Sequence, residues 1–524
     1  MTQTGKRSIN VIIEDKGKTV LSFPYCAETE SFWDCLREKT GDARPREMSE
    51  SGSFDSAGFC GGHGTCGRCR VRFLSGAPLP SASDRRVFKP EQLREGYRLA
   101  CTAEPVSDCR IELCFAKDFN MTVVSEYKNG WMLHEAGTEG TFCAVDIGTT
   151  TVVMQLVDRK SGRALARETF VNPQRKYGAD VISRIEASEA HGEDMHRLII
   201  QALEDGLQSL RGKAGDAAGP DCVIIAGNTV MIHLLLGYPV ESLGRAPFTP
   251  YHQGEATFTL GGIPAWVFPG ISAFVGADIV SGIYASGMAE SEEMSLLIDL
   301  GTNGEIALGN RQRILCTSTA AGTAFEGGGE YTVPGSDMIS VSYELLEKRI
   351  MDETGLLAEP WFTTGYRVGK ALVTQEDIRK LQMAKAAVFA GIATLLDRME
   401  VRPETVRHVY LSGGFGYFLD CRKAGAVGLF PKELAAVAEA VGNSSLAGAV
   451  RYGMKAVSQG ETSERESLGV CEPGMTLYDS SVSRIIEISR SINLAEDGTF
   501  GDSYIGFMNF TKYKMKRGGS VCII

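Results

Sequence analysis

Hydrophobic and polar positions along this chain change their period at several points. Short apolar stretches broken by polar residues cover 8–13, 19–23 and 69–74, which predicts three β-strands near the N-terminus. Two further apolar strands, which begin near 141 and 296, each end in an aspartate and a Gly-Thr turn before a second strand. The pattern therefore predicts strands that belong to more than one domain.

Apolar residues at helical spacing lie between the later strands. They predict helices over 180–187, 195–210, 377–399 and 446–454. The segment 118–140 is polar and contains glycine, and Trp131 is its only large anchor. This composition predicts a linker that behaves as a flexible coil. We therefore expect a multi-domain α/β chain with an N-terminal domain at 1–117 and a larger domain at 141–524.

Composition restricts the class of protein further. The 524 residues are 43% hydrophobic and 23% charged, enough apolar material for several cores and too much for a disordered chain. No stretch reaches the ~18 uninterrupted apolar residues of a membrane span, and no signal-peptide run appears, so we expect a soluble, cytoplasmic protein without a membrane partner. A net charge of -11 argues against a nucleic-acid partner.

Four cysteines form the most specific motif. Cys60, Cys66 and Cys69 have the spacing C-x5-C-x2-C, and Cys101 is the fourth member. This spacing is typical of an iron–sulfur cluster, and the glycines inside the loop would allow the backbone to wrap it closely. The alternatives are buried free thiols and a structural zinc, although a four-cysteine zinc site usually pairs two C-x2-C knuckles.

The remaining N-terminal residues fit the same interpretation. Rieske ligation would need two histidines, whereas His63 stands alone in the motif. The other cysteines of this region show no partner pattern and are predicted to be packing residues: Cys26, Cys35, Cys109 and Cys114. Residues 7–117 resemble β-grasp [2Fe-2S] ferredoxins of the vertebrate or putidaredoxin-like spacing, apart from a longer polar segment before the first ligand.

Two aspartate loops carry the second chemistry. Asp146 precedes Gly148-Thr149-Thr150, and Asp299 precedes Gly301-Thr302-Asn303-Gly304 about 150 residues later. One such loop could be an ordinary hairpin turn, but its recurrence favours two loops that clamp a polyphosphate across a cleft. Each aspartate would then reach Mg2+ through water. No Walker motif occurs, so this is a different kind of phosphate site.

A third glycine loop, Gly413-Gly414-Phe-Gly-Tyr417, again follows a predicted strand. The order of the three loops resembles the ASKHA superfamily of split ATPases, which includes sugar kinases and actin. This resemblance implies two RNase H-like lobes with ATP between them. We place the first lobe at about 141–290 and the second at about 291–450, with the remainder packing back on the first lobe.

The resemblance also implies a role for each candidate residue. Asp146 and Asp299 would organise Mg2+ and the attacking water, while Gln174 and Glu305 are catalytic candidates together with Asn228 and Asp278. The residues assigned to phosphates or adenosine are Gly148, Thr149, Thr150, Gly301, Thr302, Asn303, Gly304, Glu326, Lys385, Gly413 and Gly414. For Lys385 the alternative is a solvated position on a helix.

A ferredoxin domain joined to an ASKHA ATPase resembles the reductive activators of corrinoid proteins. Further segments agree with this, among them Asn172-Pro-Gln174, Ala277-Asp278 and the GNSSLAGA run near Gly442. The resemblance implies an ATP-dependent enzyme that passes one electron from a [2Fe-2S] cluster to Co(II) of a corrinoid protein and regenerates Co(I). It also implies a low-potential electron donor, and it leaves the assembly open between a monomer and a homodimer.

Two departures and two alternatives accompany this interpretation. Some members of the family carry a middle domain for which the linker leaves no room, and the run after Glu326 differs from the family pattern. An activator of a radical-type dehydratase is one alternative, although such proteins lack a ferredoxin domain. A redox-sensing, ATP-binding regulator is the other. A fused nicotinamide or flavin enzyme is disfavoured because no strand-GxGxxG-helix unit occurs.

Overall fold

The computed structural model describes most of the chain as two compact units. The described residues are 8–15, 18–26, 31–41, 69–114, 126–127, 139–215, 219–301, 303–319, 333, 335–369, 371–455, 479–497, 500–510, 513–515 and 521–523. The first unit comprises 1–120 with 173–184, and the second comprises 121–172 with 185–524. Among the helices of these described ranges, none is long and apolar enough to cross a membrane.

The first unit contains a five-stranded mixed sheet. Its elements are β1 (Ile9–Asp15), β2 (Lys18–Tyr25), α1 (Phe32–Gly41), β3 (Arg70–Ser75), α2 (Ala82–Val87), α3 (Pro90–Arg94), β4 (Tyr97–Leu99) and β5 (Cys109–Leu113). The strand order is β2-β1-β5-β3-β4, with β1 parallel to β5 and antiparallel to β2. The three strands predicted from the sequence are confirmed.

Alternation along β1 explains which face of this sheet is covered. Ile9, Val11 and Ile13 are buried while Asn10 between them is exposed, so one face of the strand lies against the core. Cys35 and Cys109 are buried in the same core, as the packing interpretation predicts. Burial raises the pKa of the Cys109 thiol to about 12, which keeps it protonated near neutral pH.

The second unit begins with a six-stranded sheet. Its elements are β6 (Thr141–Ile147), β7 (Thr151–Asp158), β8 (Ala164–Val171), α4 (Val181–Ala214), β9 (Val223–Gly227), α5 (Thr229–Leu236), β10 (Ala256–Leu260), β11 (Ile263–Val267) and α6 (Ala277–Ser286). The strand order is β10-β11-β9-β6-β7-β8. Most residues of β6 and β9 are buried, as expected for central strands covered on both faces.

A second six-stranded sheet follows with the order β18-β17-β12-β13-β14-β19. The elements of this part are β12 (Ser295–Leu300), β13 (Gly304–Gly309), β14 (Ile314–Thr319), α7 (Gly335–Glu347), α8 (Trp361–Thr364), β15 (Tyr366–Val368), β16 (Ala371–Val373), α9 (Gln375–Arg398), β17 (His408–Ser412), α10 (Gly413–Gly416), α11 (Cys421–Val427), β18 (Ala438–Gly442), α12 (Ser444–Lys455), α13 (Ser480–Ile488), β19 (Ser489–Ser491), α14 (Phe500–Gly506), β20 (Tyr513–Met515) and β21 (Val521–Ile523).

The two sheets share one plan. In each, three antiparallel strands (β6-β7-β8 and β12-β13-β14) are extended on the side of the first strand by two parallel strands (β9, β11 and β17, β18). Carboxyl ends of parallel strands meet at one edge, where ligands bind in α/β folds. The predicted pair of RNase H-like lobes is confirmed, and each aspartate lies near the end of its lobe's first strand.

Three expectations about the segments around these sheets need correction. The two helices expected at 180–187 and 195–210 are one continuous helix, α4. The end of the chain divides between the lobes, because α12 and α13 pack on α6 whereas β19 joins the second sheet and α14 packs on α9. Within the expected flexible linker, Glu126 and Tyr127 are held by hydrogen bonds to the second unit.

Candidate functional site

Asp146 is held by a loop that lies almost 300 positions away in the sequence. Its Oδ2 accepts a hydrogen bond from Asn443 Nδ2 at 2.7 Å, and its Oδ1 accepts one from Ser445 Oγ at 2.8 Å. Both donors lie where β18 ends and α12 begins. Burial raises the pKa of Asp146, and these two hydrogen bonds oppose that rise because they favour the charged form.

Asp299 is held by its own sheet. Ser412, the last residue of the neighbouring strand β17, donates from Oγ to Asp299 Oδ2 at 2.9 Å. The hydroxyl of Ser444 lies 2.7 Å from that of Ser412, which links this pair to the loop that holds Asp146. Burial raises the pKa of Asp299 to about 6, and the nearby charge of Asp146 adds to the rise.

Two further carboxyl groups face this pair. Asp278 lies in the first turn of α6, and burial with the charge of Asp299 raises its pKa to about 7. Glu305 lies at the start of β13, and burial with the charges of Asp278 and Asp299 raises its pKa well above the ordinary value. Four carboxyl groups from both lobes thus repel one another at the ends of β6 and β12.

This carboxylate group, formed by Asp146, Asp278, Asp299 and Glu305, is suited to a hydrated divalent cation. Within the described ranges, no three histidine, cysteine or acidic side chains converge closely enough to hold a metal ion directly. Mg2+ commonly keeps several of its waters and takes few protein ligands, with phosphate oxygens completing the shell. The geometry therefore fits Mg2+ bound through water and nucleotide phosphates better than a dehydrated, all-protein site.

Glycine brings backbone close to these carboxylates. Gly413 has φ +84°, and a Cβ there would lie 2.6 Å from both Asp299 Oδ1 and Leu300 O. At Gly148, a Cβ would lie 2.7 Å from Thr151 O, the acceptor of the Gly148 amide. Side chains larger than hydrogen would close this space, so the glycines of the loops predicted from sequence serve close approach of the backbone.

The remaining predicted residues are distributed as follows. Thr149 accepts a hydrogen bond from Asn228 Nδ2 at 2.8 Å, which places Asn228 beside the first loop. Thr150, Gly301, Asn303 and Gly304 lie in or next to the two aspartate loops, and Gly414 is exposed on α10. Thr302 and Glu326 lie outside the described residues. Gln174 lies in the first unit, on the short 3-10 helix Pro173–Lys176, so its catalytic role stays a prediction.

Lys385 is not at a solvated position. Its side chain is fully buried on α9, and Nζ donates to the carbonyl oxygens of Phe507 and Asn509 at 2.7 Å each. The ammonium group also lies 4.8 Å from the ring centre of Phe510, and burial lowers its pKa to about 7. The alternative of a solvated helix position is therefore wrong, and the assignment of Lys385 to the adenosine stays a prediction, although residues 507–510 already supply partners for its ammonium group.

The second lobe also contains a cavity of about 880 Å³ between α7 and α11. Tyr343, Phe389, Arg422, Phe430 and Phe510 are among its lining residues. Of the predicted nucleotide-binding residues that the structure describes, none lines this cavity. The position of this cavity therefore does not indicate where adenosine would bind.

Sequence reasoning assigned no role to Asn443, Ser445, Ser412 or Ser444, although it noted the segments that contain them. Asn443 Oδ1 accepts from the amide of Leu446 at 2.7 Å, which caps the start of α12. An Asn-Ser-Ser run before a helix predicts such a cap. The second role, in which the Asn443 amide group holds Asp146, follows only from the fold.

Two of the four predicted cluster ligands are described, and the fold brings them together. β3 and β4 pair with Arg70 opposite Leu99, and Ala100 donates its amide to Cys69 O at 2.7 Å. As a result, the Sγ atoms of Cys69 and Cys101 lie 3.2 Å apart. A disulfide needs about 2.05 Å, so the two sulfur atoms are in contact without being bonded to each other. Cys60 and Cys66 lie outside the described residues.

Comparison with family models identifies three regions. The RACo middle region matches residues 142–291, the C-terminal ASKHA domain of RACo matches 293–333 and 330–468, and the 2Fe-2S iron-sulfur cluster binding domain matches 45–106. The middle-region model matches the residues assigned above to the first lobe, so no additional domain is needed between the linker and that lobe to account for it.

Similar proteins agree with this domain set. The corrinoid activation enzyme RamQ of Eubacterium limosum is 28% identical over 430 residues, covering 69% of each chain. The [Co(II) methylated amine-specific corrinoid protein] reductase of Methanosarcina barkeri is 23% identical over 379 residues, covering 58% of this chain and 68% of the relative. A solved reductive activator for corrinoid, iron-sulfur protein matches with a TM-score of 0.60 and 22% identity, over 96% of this chain and 98% of that one.

Proposed function

This chain belongs to the family of reductive activators of corrinoid proteins, with a 2Fe-2S domain and an ASKHA domain, and from that premise we propose its reaction. It uses Mg-ATP to drive the transfer of one electron from its [2Fe-2S] cluster to Co(II) of a corrinoid protein, which regenerates Co(I). The observation that carries the nucleotide half of this proposal is the carboxylate group shared by the two lobes.

The residues of the second unit support binding of a magnesium polyphosphate. Asp146 and Asp299 come from equivalent strands of the two lobes, and the backbone of Gly413 lies against Asp299 without an intervening side chain. Phosphate oxygens could approach amides of such glycine loops while Mg2+ reduces the repulsion between the carboxylates and the phosphates. The two lobes would then be drawn together by one ligand that contacts both.

The first unit supports the redox half. The contact of the Cys69 and Cys101 sulfurs lies at the end of a strand pair, and the family model of the 2Fe-2S domain includes all four predicted ligands. When bound, the cluster supplies a one-electron carrier. The protein's own contribution is to hold four thiolates and to limit their access to solvent, which tunes the reduction potential.

Energetics explains why both halves occur in one chain. A plant-type [2Fe-2S] centre lies near about -400 mV, and each 100 mV of uphill one-electron transfer costs about 2.3 kcal/mol. Co(II)/Co(I) couples lie lower than such a centre. ATP binding or hydrolysis would supply the difference if closure of the lobes changes the complex with the corrinoid protein.

Anaerobic electron transfer to a corrinoid protein tests this proposal. The reconstituted protein is reduced and mixed with a Co(II) corrinoid protein, and visible spectra are recorded with and without Mg-ATP. We expect Co(I) to form only with Mg-ATP, and to be abolished by Cys101→Ser and by Asp299→Asn. Cys114→Ser is the matched control, since this thiol has a pKa raised by burial to about 11 and is not a predicted ligand.

The variants separate the two halves of the reaction. Cys101→Ser should lose the visible absorption and EPR signal of the cluster while keeping Mg-ATP binding, and Asp299→Asn should show the opposite. A reduced cluster that binds Mg-ATP but never reduces a corrinoid partner would instead support the redox-sensing regulator. One [4Fe-4S] cluster shared by two chains has the same iron content as one [2Fe-2S] cluster in each chain, so visible and EPR spectra of the [4Fe-4S] type would be the result that favours the dehydratase activator.

A further inference from the structure

Two residues that precede the ATPase lobes pack directly on the loop that holds Asp146. Tyr127 pairs with Gly442 in an isolated antiparallel bridge, and the amide of Asn443 donates to Glu126 O at 2.8 Å. We call the pair Glu126–Tyr127 the strap. In sequence it lies between the cluster ligands and the nucleotide loops, in the segment that composition predicts to be a flexible linker.

Gly442 shows how closely the strap is fitted. This residue has φ +82°, and a Cβ placed on it would lie 2.0 Å from Glu126 O. Any other residue would both strain the backbone and displace the strap, because real Cβ contacts are never this short. The main chain of Glu126 therefore occupies the space that a side chain at position 442 would need.

The strap also joins the two lobes. Tyr127 is half-buried, and its hydroxyl accepts from Nε2 of Gln155, a fully buried side chain of β7 in the first lobe, at 2.8 Å. The carboxylate of Glu126 accepts from Tyr417 Oη at 3.3 Å, in the second lobe, and lies 4.0 Å from Arg167 of β8. Movement of the lobes relative to each other would change these contacts.

From these contacts we propose that the strap positions the nucleotide site. It fixes Gly442 and Asn443, and Asn443 in turn fixes the carboxylate of Asp146 through the 2.7 Å hydrogen bond. Glu126 and Tyr127 are thus positioning residues for the magnesium nucleotide, although neither touches it. The proposal deepens the proposed function and rests on its nucleotide site.

A consequence concerns the chain that leads to the cluster ligands. Coupling between two sites is reciprocal, so if the strap stabilises the nucleotide-binding geometry, bound nucleotide must stabilise the strap by the same factor. Nucleotide binding would then restrain the segment that joins the redox and ATPase parts.

The test compares two glycine substitutions with the same backbone strain. Gly442→Ala introduces a Cβ against Glu126 O, whereas Gly262 has the same φ of +82° with open space around it, so Gly262→Ala controls for strain alone. Mg-ATP affinity is measured by calorimetric titration of the full chain at several Mg2+ concentrations. We expect Gly442→Ala to weaken binding about tenfold and Gly262→Ala less than about twofold, the size of effect given by losing one well-placed charged hydrogen bond.

A milder pair of variants keeps the test valid if Gly442→Ala folds poorly. Tyr127→Phe removes only the hydroxyl group to which Gln155 donates. The control Tyr251→Phe removes the hydroxyl group of an exposed tyrosine in the first lobe. We expect Tyr127→Phe to weaken Mg-ATP binding about threefold and to be non-additive with Asn443→Ala, because both act through one set of contacts. Tyr251→Phe should match the wild type.

A merely structural strap would lower the melting temperature without changing the Mg2+ concentration needed for half-maximal ATP binding. The proposal is overturned if Gly442→Ala and Gly262→Ala bind Mg-ATP equally, or if Tyr127→Phe adds fully to Asn443→Ala. A wild-type chain that binds no nucleotide would overturn the proposed function itself. The titration of the unmodified protein therefore distinguishes the two failures.

Discussion

The two ATPase lobes repeat one strand order but hold their aspartates in different ways. Asp299 of the second lobe is fixed by Ser412, its neighbour across two paired strands of the same sheet. Asp146 of the first lobe is fixed by Asn443 and Ser445, which lie where β18 of the second sheet leads into α12, a helix that packs on α6 and β6 of the first lobe. The first aspartate is therefore held by the segment that connects the two sheets, whereas the second is held mainly by its own sheet and reaches that segment only through the Ser412–Ser444 contact.

This difference indicates where conformational change can act. A contact inside one sheet is rigid, because strand pairing fixes its register over several residues. A contact made by a segment that connects two lobes can change when the lobes move relative to each other. We therefore expect Asp146 to be the aspartate whose orientation responds to closure, and Asp299 to stay in place.

The largest effect should come from removing either aspartate charge. Asp146→Asn and Asp299→Asn keep the shape of the side chain but weaken the site for Mg2+, so ATP hydrolysis should fall by about 100-fold or more in each. Glu112→Gln, an exposed change in the first unit, is the control. Wild-type hydrolysis rates in both aspartate variants would show that the carboxylate group is not the nucleotide site.

A second, smaller effect distinguishes the hydrogen bonds that hold Asp146 from the hydrogen bond that holds Asp299. Asn443→Asp retains the cap of α12 but replaces the amide donor with a second carboxylate beside Asp146, which like-charge repulsion disfavours. We expect it to weaken Mg-ATP binding about tenfold, since hydrogen bonds to charged groups contribute about 1.5–3 kcal/mol.

Ser412→Ala removes the matching donor of Asp299 and should cost about threefold in Mg-ATP affinity, because the sheet still fixes that side chain. Calorimetric titration of both variants gives the comparison. Equal losses would mean that the aspartates are held alike and that the lobes differ only in sequence. Melting temperatures close to that of the wild type exclude unfolding as the cause.

Sequence pattern located both aspartates because each ends an apolar strand, a local signal that needs no knowledge of the fold. Asn443 could not be assigned in this way, since it lies 297 positions from Asp146 and meets it only through tertiary structure. Its local signal, an Asn-Ser-Ser run before a helix, predicts a cap and gives no hint of a second partner.

Lys385 and α4 show two other limits of the sequence. Helical periodicity places a lysine at a polar position of α9, but residues 507–510, more than a hundred positions later, cover it and supply its acceptors. The polar run between the two helices expected near 180 and 210 does not interrupt α4, because most of its residues are exposed or half-buried and keep their polar groups in water. Lys385 is therefore buried by a segment that is distant in sequence, whereas the polar residues of α4 stay mostly accessible to solvent.

The third prediction concerns pH. The pKa values of Asp278 and Asp299 are raised to about 7 and about 6, so between about pH 4 and 7 the folded protein binds more protons than the unfolded chain. In metal-free protein the free energy of unfolding should therefore fall as pH rises through this window. Mg2+ binds the deprotonated groups and should raise the melting temperature more at pH 8 than at pH 5.

Asp278→Asn removes one of these two titrating carboxyl groups. The difference between the variant and the wild type therefore measures the contribution of Asp278 to the pH dependence of stability. Thermal unfolding in EDTA from pH 5 to 8 should show a smaller fall in this variant than in the wild type, by about a few degrees. Asp158→Asn is the control, because its pKa is lowered by hydrogen bonds from Ser161 and it lies outside the carboxylate group. Identical pH profiles of wild type and Asp278→Asn would contradict the clustering of charges.

The smallest effect on Mg-ATP affinity should come from a substitution of Lys385. This variant compares a buried helix residue of the second lobe with the loop residues considered above. Lys385→Met keeps the volume but leaves the carbonyls of Phe507 and Asn509 without their donor, which destabilises by about 1–3 kcal/mol, offset in part because a cation is no longer buried. Mg-ATP affinity should stay within about twofold of wild type, since these contacts are structural. Lys380→Met, a half-exposed position of the same helix, controls for loss of charge. A tenfold loss of Mg-ATP affinity in Lys385→Met alone would instead indicate that the lysine belongs to the nucleotide site.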